Sequence, residues 1–152
     1  MRVKKLIIND KEVLLDMKDY LNYKHQIQGA YNYWNGKYYV ITKEGKFLHR
    51  LILNTPKGLL VDHINGNSLD NRRCNLRVCT NAQNQWNTAK KSNSTQKYKG
   101  VRKTKSGKYE ARIRCGEGKR LHLGTYPTIE EAVEAYNTKA LELHGDFAYL
   151  NK

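Results

Sequence analysis

Four polar residues in the middle of the chain have the types and spacing that phosphodiester cleavage requires. Asp62 directly precedes His63, and Asn75 and Asn84 follow the histidine after 12 and 21 residues. A carboxylate and an amide oxygen can hold Mg²⁺, which prefers oxygen ligands and keeps positions for water and substrate phosphate. An imidazole whose pKa is ordinarily near neutrality can take a proton from an attacking water. The set predicts a one-metal nuclease centre.

The segments around these residues predict elements that can bring them together. In order they are a strand, a turn, a polar loop and a second strand, at residues 59–64, 65–66, 67–75 and 76–79. Thr80 and Gln83 then stand at the spacing of a capping box, in which each side chain satisfies a backbone N–H at the start of a helix. Asn84 falls in the first turn of that helix, so the elements can collect Asp62, His63 and Asn84.

Residues 1–54 are rich in aromatic side chains and predict a β-hairpin. Six of the eleven tyrosines lie within the first 40 positions, together with Trp34. Residues 37–42 favour a strand, residues 43–46 a turn and residues 47–53 a returning strand. The aromatic side chains are expected to serve as hairpin and core residues, with base stacking as the alternative.

The composition favours a polyanionic partner. The 152 residues include 28 Lys and Arg against 14 Asp and Glu, for a formal net charge of +14. Cationic side chains that neutralise phosphates release condensed counterions, so double-stranded DNA is the expected partner, and a basic protein without one is the alternative. The sequence shows no long basic amphipathic helix for a membrane surface and no sign of an obligate protein partner. It also lacks a transmembrane-length apolar run and a signal-peptide core, which predicts a cytoplasmic location.

The three cysteines give no sign of a zinc site or a disulfide scaffold. Cys74, Cys79 and Cys115 form neither a CxxC pair nor an even set. They are expected to be reduced thiols that mostly serve in packing.

The last third of the chain predicts a second domain. Residues 89–96 (AKKSNSTQ) are small, polar and basic and predict a linker. Strands are expected at residues 98–103, 108–115 and 120–126, with turns at 106–107 and 116–118. A capping box at residues 128–131 and a glycine at position 145 delimit a helix. Its apolar side chains fall at helical spacing: Ile129, Ala132, Val133, Tyr136, Ala140 and Leu143.

Charge is segregated within this second domain. Residues 97–128 contain ten Lys and Arg and two Glu, whereas residues 129–152 contain five acids and two lysines. If the helix covers one face of the sheet, the basic side chains can project from the other face toward DNA. A solvated basic hairpin with no partner is the alternative.

The central motifs resemble those of the HNH endonuclease family, most closely its phage-borne, homing-type members. The matching segments are Leu48–Ile52, Val61–Asn67, Leu69–Arg73, Asn75–Arg77 and Gln83–Asn84. The resemblance implies a ββα-metal fold, a DNA substrate and one divalent cation, Mg²⁺ or another such as Mn²⁺.

The resemblance also implies a role for each residue of the centre. His63 would be the general base, and Asp62 and Asn84 would hold the cation. Asn75 would fix the loop and orient the His63 ring rather than bind metal. His49 matches an upstream histidine of the family, with a structural role preferred to a catalytic one. Four arginines are open to either phosphate contact or an ordinary surface role: Arg50, Arg72, Arg73 and Arg77.

The second domain resembles the Apetala-type, or ethylene-response-factor, DNA-binding domain over about 54 residues. The matching segments are Tyr98–Arg102, Gly107–Tyr109, Ala111–Arg114, Leu123–Tyr126, Glu131–Ala132, Ala135–Tyr136 and Leu150–Asn151. The resemblance implies a three-stranded antiparallel sheet packed on one helix, with the sheet reading the major groove. DNA-contacting positions on that sheet are occupied here by Lys99, Arg102, Arg112, Arg114, Arg120 and His122.

The likeness to the plant domain includes departures on the reading face. Thr104 and Ser106 stand where an arginine and a tryptophan would be expected, Arg112 replaces a glutamate, and His122 replaces a second tryptophan. The face stays strongly basic, so DNA binding is still implied, but the plant family's GC-rich target does not carry over.

We therefore predict an α+β protein whose ββα-metal nuclease module is preceded by a hairpin region and followed by a three-stranded sheet on one helix. The expected domains are residues 1–88, with a nuclease core at about 47–88, a linker at 89–96 and a DNA-binding domain at 97–152. One centre per chain predicts that a monomer nicks one strand, whereas a double-strand break needs a dimer. The alternatives are a catalytically silent, sequence-specific DNA-binding regulator and a basic packing protein without sequence preference.

Overall fold

The computed structural model describes residues 2–33, 36–89, 96–115 and 119–152. Trp34, most of the expected linker at 89–96 and the expected turn at 116–118 lie outside these residues. The chain divides into two compact units, Met1–Asn84 and Gln85–Lys152. Within the described part, no helix is long and apolar enough to cross a membrane.

In its described residues, the first unit contains three two-stranded antiparallel hairpins and three short α-helices. In chain order its strands are β1 (Val3–Ile8), β2 (Lys11–Asp16), β3 (Ile27–Asn32), β4 (Tyr38–Thr42), β5 (Leu60–His63) and β6 (Leu76–Cys79). Its helices are α1 (Met17–Tyr23), α2 (Leu48–Ile52) and α3 (Asn81–Asn87), and the boundary between the two units falls inside α3. The pairs are β1 with β2, β3 with β4, and β5 with β6.

The prediction of a returning strand at residues 47–53 is wrong, because this segment forms α2. Leu48, His49 and Ile52 are all buried, a spacing that places them on one side of a helix, whereas a strand would point the adjacent Leu48 and His49 to opposite faces. Strand β4 pairs instead with β3, which precedes it. Leu48 and Ile52 belong to a core cluster whose other members are Val13, Leu15, Val40 and Leu76.

The predicted strand, loop, strand and helix of the central region are confirmed. Strand β5 pairs with β6 in the register His63 with Leu76 and Leu60 with Cys79. Thr80 and Gln83 form both halves of the capping box, since the Thr80 N–H donates to Gln83 Oε1 at 2.9 Å and the Gln83 N–H donates to Thr80 Oγ1 at 3.3 Å. This capping box favours the start of the short helix α3 at the position that the sequence predicts.

The second unit is a three-stranded antiparallel sheet packed on one helix, as predicted. The strands β7 (Val101–Lys103), β8 (Tyr109–Arg114) and β9 (Arg120–Tyr126) lie in the order β7-β8-β9, and α4 spans Ile129–His144. The capping box at Thr128 and Glu131 is present, and α4 ends at Gly145, whose φ is 51°.

The predicted apolar stripe of α4 is correct except at its end. Ala132, Tyr136 and Ala140 are buried against the sheet, but Leu143 is exposed and His144 is buried instead. The His144 Nε2 lies 2.9 Å from the Arg114 carbonyl oxygen, and its ring stacks on Trp86 at 4.4 Å. A buried histidine with a hydrogen-bond partner and a stacked ring can therefore replace leucine on the core face.

Candidate active site

Asp62 and His63 lie at the end of β5 and are both buried, with 5% and 7% of their surface exposed. Antiparallel pairing sets Asp62 opposite Arg77 and His63 opposite Leu76. Successive side chains of a strand point to opposite faces, so the two residues meet different surroundings.

The His63 ring is held in its neutral form. Burial lowers the pKa of His63 to about 4, although the Asn71 side chain and the Asp62 and Asp70 carboxylates favour the charged form. Desolvation penalises an imidazolium more strongly than these neighbours stabilise it. A neutral imidazole at neutral pH can accept a proton, as a general base must.

A second buried histidine packs against the first. The ring centroids of His49 and His63 are 5.1 Å apart in an edge-to-face arrangement. Burial is the main cause that lowers the pKa of His49 to about 3, with smaller contributions from the neighbouring His63 and Arg50. Half-buried Tyr39 and Phe47 complete this aromatic cluster, with centroids 5.7 and 5.3 Å from the His49 ring. These two aromatic residues pack as predicted for the hairpin region.

Asp62 is paired with Arg77. The guanidinium donates from Nε at 2.8 Å and from Nη2 at 2.6 Å, both to Asp62 Oδ2. Arg77, predicted as a DNA contact, therefore faces the predicted metal ligand, and only 16% of its side chain is exposed. A cation at Asp62 would therefore compete with Arg77 for the carboxylate.

Asn75 fixes the loop between β5 and β6. Its Oδ1 accepts from the Asn65 N–H at 2.9 Å, and its Nδ2 donates to the Asp70 carbonyl at 2.8 Å. These hydrogen bonds tie Asn65 and Asp70 together across the loop, and the orientation of the His63 ring by Asn75 stays a prediction. The side chain that contacts His63 across this loop is that of Asn71, which is fully buried and donates through Nδ2 to the Leu69 carbonyl at 3.2 Å.

The N-terminal hairpin clamps the same loop, a role that the sequence did not reveal. Arg73 donates through Nε and Nη2 to the fully buried Asp19, both at 2.8 Å, and its backbone N–H donates to Asp16 Oδ2 at 2.9 Å. The Asn71 N–H donates to the Leu14 carbonyl at 2.8 Å. These partners are more than 50 residues from the loop in sequence, so no local pattern marks them.

Two other arginines of the centre hold loops rather than project from them. Arg50 donates to the carbonyls of Leu59 at 2.7 Å and Pro56 at 3.3 Å, just before β5. Arg72 donates to both carboxylate oxygens of the buried Asp70, at 2.7 and 2.6 Å. These contacts stiffen the surroundings of His63.

Asn84 lies in the first turn of α3, as predicted, with its N–H donating to the Thr80 carbonyl at 3.0 Å. Asp62 and Asn84 supply hard oxygen donors, which suit Mg²⁺ or Mn²⁺. The described residues contain no group of three His, Cys, Asp or Glu that could hold a metal. The role of Asp62 and Asn84 as metal ligands stays a prediction.

Five of the six predicted DNA-binding residues of the second unit lie on the sheet face opposite α4, and the sixth, Lys99, precedes β7. Ala111 and Ile113 of β8 are buried beneath the helix, so Arg112 and Arg114 take the other face, together with Arg102 of β7 and His122 of β9. Arg114 is paired directly with Arg120 across β8 and β9, and both are exposed.

Lys99 is engaged within its own unit. Its Nζ donates to the carbonyls of Trp86 at 2.7 Å, Thr88 at 2.8 Å and Gln85 at 3.2 Å, and burial lowers its pKa to about 8. A lysine that caps the last carbonyls of α3 neutralises the negative end of that helix. A role in DNA contact would compete with this capping role.

Comparison with known proteins agrees with this geometry. The model of the HNH endonuclease family matches residues 46–86. A mimivirus protein described as an uncharacterized HNH endonuclease, from Acanthamoeba polyphaga mimivirus, is 38% identical over 85% of this chain and 71% of its own length. Protein 3.8 of Escherichia phage T7 is 33% identical over 61% of this chain and 76% of its own length.

The second unit has relatives of another kind. An Arabidopsis thaliana protein described as an ethylene-responsive transcription factor is 34% identical over 62% of this chain and 60% of its own length. No solved structure matches the chain. The central motif, the relatives and the β5–β6–α3 order together place this protein in the HNH endonuclease family, as an endonuclease with a C-terminal region like that of the plant transcription factors.

Proposed function

We propose that the protein is a divalent-metal-dependent DNA endonuclease that nicks one strand per monomer at a site chosen by the β7-β8-β9 sheet. The observation that carries the proposal is the position of His63, a buried imidazole next to Asp62 at the end of β5, beside a loop that is tied down by hydrogen bonds of Asn75 and Asn71. The family match supports the nuclease class. The metal, the nick and the choice of site are our inference.

His63 is proposed to take the proton of the attacking water. Its ring is neutral at neutral pH, and the loop held by Asn75, Asp70 and Asn71 fixes its position. Fixing the base in place before substrate arrives removes an orientation cost from the chemical step. When bound by Asp62 and Asn84, a divalent cation would supply stabilisation of negative charge on the phosphate and the leaving oxygen.

One centre per chain supports nicking as the basic reaction. A monomer with one such centre among its described residues activates one water against one phosphodiester at a time, so a coordinated double-strand break needs two chains. A nicking rate per chain that is the same at low and high protein concentration would support a monomer.

The sheet of the second unit is proposed to select the site. Arg114 and Arg120 lie opposite each other across β8 and β9 and are exposed. Like charges directly opposite in a sheet repel, and a phosphate or base acceptor between them relieves that repulsion. Positively charged side chains on a sheet face are a recognised means of DNA binding.

A supercoiled-plasmid assay tests the proposal. Wild type with Mg²⁺ should convert supercoiled plasmid to open circles, whereas chelation by EDTA should stop the conversion. His63→Ala should bind the same plasmid without nicking it, and His25→Ala, which alters an exposed histidine outside the centre, should nick like wild type. Equal nicking by wild type and His63→Ala would refute the assigned base, and nicking that persists after full chelation would refute metal dependence.

A further inference from the structure

Glu110 is a buried carboxylate in the middle of the basic face of the β7-β8-β9 sheet. It lies in β8, the central strand, on the face opposite α4, and only 5% of its surface is exposed. Three cationic or titratable side chains cover it: Arg102, Arg112 and His122. A buried negative charge on a face that is proposed to bind DNA needs a structural explanation.

The contacts of Glu110 reach both neighbouring strands. Its Oε1 accepts from Arg112 Nε at 2.6 Å and lies 2.5 Å from Arg112 Nη2, while its Oε2 accepts from Arg102 Nε. The His122 Nε2 lies 3.3 Å from Oε1. Arg102 is the direct cross-strand neighbour of Glu110, and His122 that of Arg112, so the four side chains form one patch.

Glu110 stays ionised in this patch. Burial by itself raises the pKa of the carboxyl group, but hydrogen bonds and the charges of Arg102 and Arg112 outweigh burial and hold the pKa below its usual value. The carboxylate therefore adds one negative charge to the two positive charges of the arginines, which leaves the trio with a formal charge of +1.

The arginines, in contrast to the carboxylate, remain open to a ligand. About half of the Arg102 side chain (51%) and 42% of the Arg112 side chain are exposed. Each guanidinium carries five N–H groups, of which Glu110 engages one on Arg102 and two on Arg112. Each arginine is thus fixed at its inner edge and keeps N–H groups beyond those bound to Glu110.

We propose that Glu110 is a positioning residue for sequence recognition, which holds Arg102 and Arg112 in fixed orientations so that their remaining N–H groups meet base edges in the major groove. This inference rests on the proposed role of the sheet in selecting the site. Fixed guanidinium planes lose less freedom when they bind, and bidentate contact to a base requires a set plane. The negative charge also weakens the attraction to phosphates of any sequence. Glu110 is therefore expected to lower non-specific affinity while it raises discrimination between sequences.

The test compares specific with non-specific binding. The 152-residue chain carrying His63→Ala is used to select a preferred duplex from a random library. A duplex with the same composition but a shuffled sequence serves as the non-specific control. Equilibrium binding to both duplexes then gives the ratio of their dissociation constants, which measures discrimination. Each variant is made in the same His63→Ala chain, and its thermal midpoint is recorded.

Glu110→Gln should lower the discrimination ratio about tenfold, because two arginine side chains lose their fixed orientations. The same variant should bind the shuffled duplex about twofold more tightly, since the face loses a negative charge. Glu134→Gln, the same charge change at an exposed position of α4, should leave the ratio unchanged. Glu110→Asp keeps the charge but shortens the side chain, so it should lower the ratio without tighter binding to the shuffled duplex.

A double-variant comparison shows whether Glu110 acts through the arginines. In a chain that already carries Arg102→Ala and Arg112→Ala, adding Glu110→Gln should not change the ratio further. A ratio that stays within twofold of the parent in both Glu110→Gln and Glu110→Asp would overturn this inference while leaving site selection by the sheet intact. A parent chain that binds every duplex equally would overturn site selection itself, and this inference with it.

Discussion

Acidification should destabilise the first unit through its two buried histidines. The pKa of His63 is lowered to about 4 and that of His49 to about 3, mainly by burial, whereas an unfolded histidine has a pKa of about 6.5. Below pH 6.5 the unfolded chain binds protons that the folded chain does not. The free energy of unfolding therefore falls as the pH is lowered from 6.5 toward 4, and is fully regained above 6.5.

The size of the effect follows from these pKa values. One pKa unit corresponds to about 1.4 kcal/mol, so a shift from pH 7 to pH 5 should cost about 2 kcal/mol for each ring and about 4 kcal/mol for the pair. Carboxyl groups in unfolded chains titrate near pH 4, so stopping at pH 5 keeps most of their contribution out of the measurement. A loss of this size is a large share of the stability of a small domain.

Urea titrations at pH 7 and pH 5 measure the loss, with hydrogen exchange on peptides from residues 3–79 to report the first unit. His49→Gln should lose only about half as much stability between the two pH values, since one ring no longer titrates. His25→Gln, at an exposed position, should behave like wild type. A wild-type loss below about 1 kcal/mol, or an unchanged loss in His49→Gln, would refute burial of the pair in neutral form.

Two further predictions concern individual ion pairs, and a third concerns the basic face of the sheet. Arg73→Ala should lower the free energy of unfolding by about 2–3 kcal/mol in urea titrations, because it leaves the carboxylate of Asp19 buried without its partner; a loss below about 1 kcal/mol would show that the pair does not clamp the loop. Arg77→Ala should lower the Mn²⁺ concentration that half-saturates plasmid nicking, because Asp62 loses a competing cation; a higher requirement would mean that Arg77 aids the metal site. Arg102→Ala with Arg114→Ala should weaken DNA binding and flatten its dependence on salt, measured by titration at several salt concentrations, and an unchanged slope would show that the sheet is not the main DNA surface.

Local sequence signals predicted the parts of the fold that are built locally. The β5–β6 hairpin, both capping boxes and the sheet with α4 each depend on residues close together in sequence, and each is present. The segment at residues 47–53 was misassigned because five residues are too few to distinguish a helical from an alternating apolar pattern. Its helical period shows in the joint burial of Leu48, His49 and Ile52.

Long-range partners explain what the sequence did not indicate at the site. A stretch with Arg72, Arg73 and Arg77 looks like a phosphate-binding surface, yet each of these arginines holds a carboxylate. Two of the partners, Asp19 and Asp62, are 54 and 15 residues away in the chain. Residue type alone cannot tell an arginine that binds DNA from one that fixes the loop beside a catalytic residue.

The pairing of arginines with buried carboxylates indicates that arginine and lysine side chains have different roles in this protein. Five of the nine arginines hold Asp19, Asp62, Asp70 or Glu110. When these paired arginines are set aside, the 19 lysines carry most of the remaining positive charge. Arginine suits this fixed role because its planar guanidinium binds a carboxylate in a set geometry, whereas a lysine acts as a mobile point charge. Lysines should therefore account for most of the salt-dependent attraction to DNA, while the paired arginines determine how the centre and the sheet meet it.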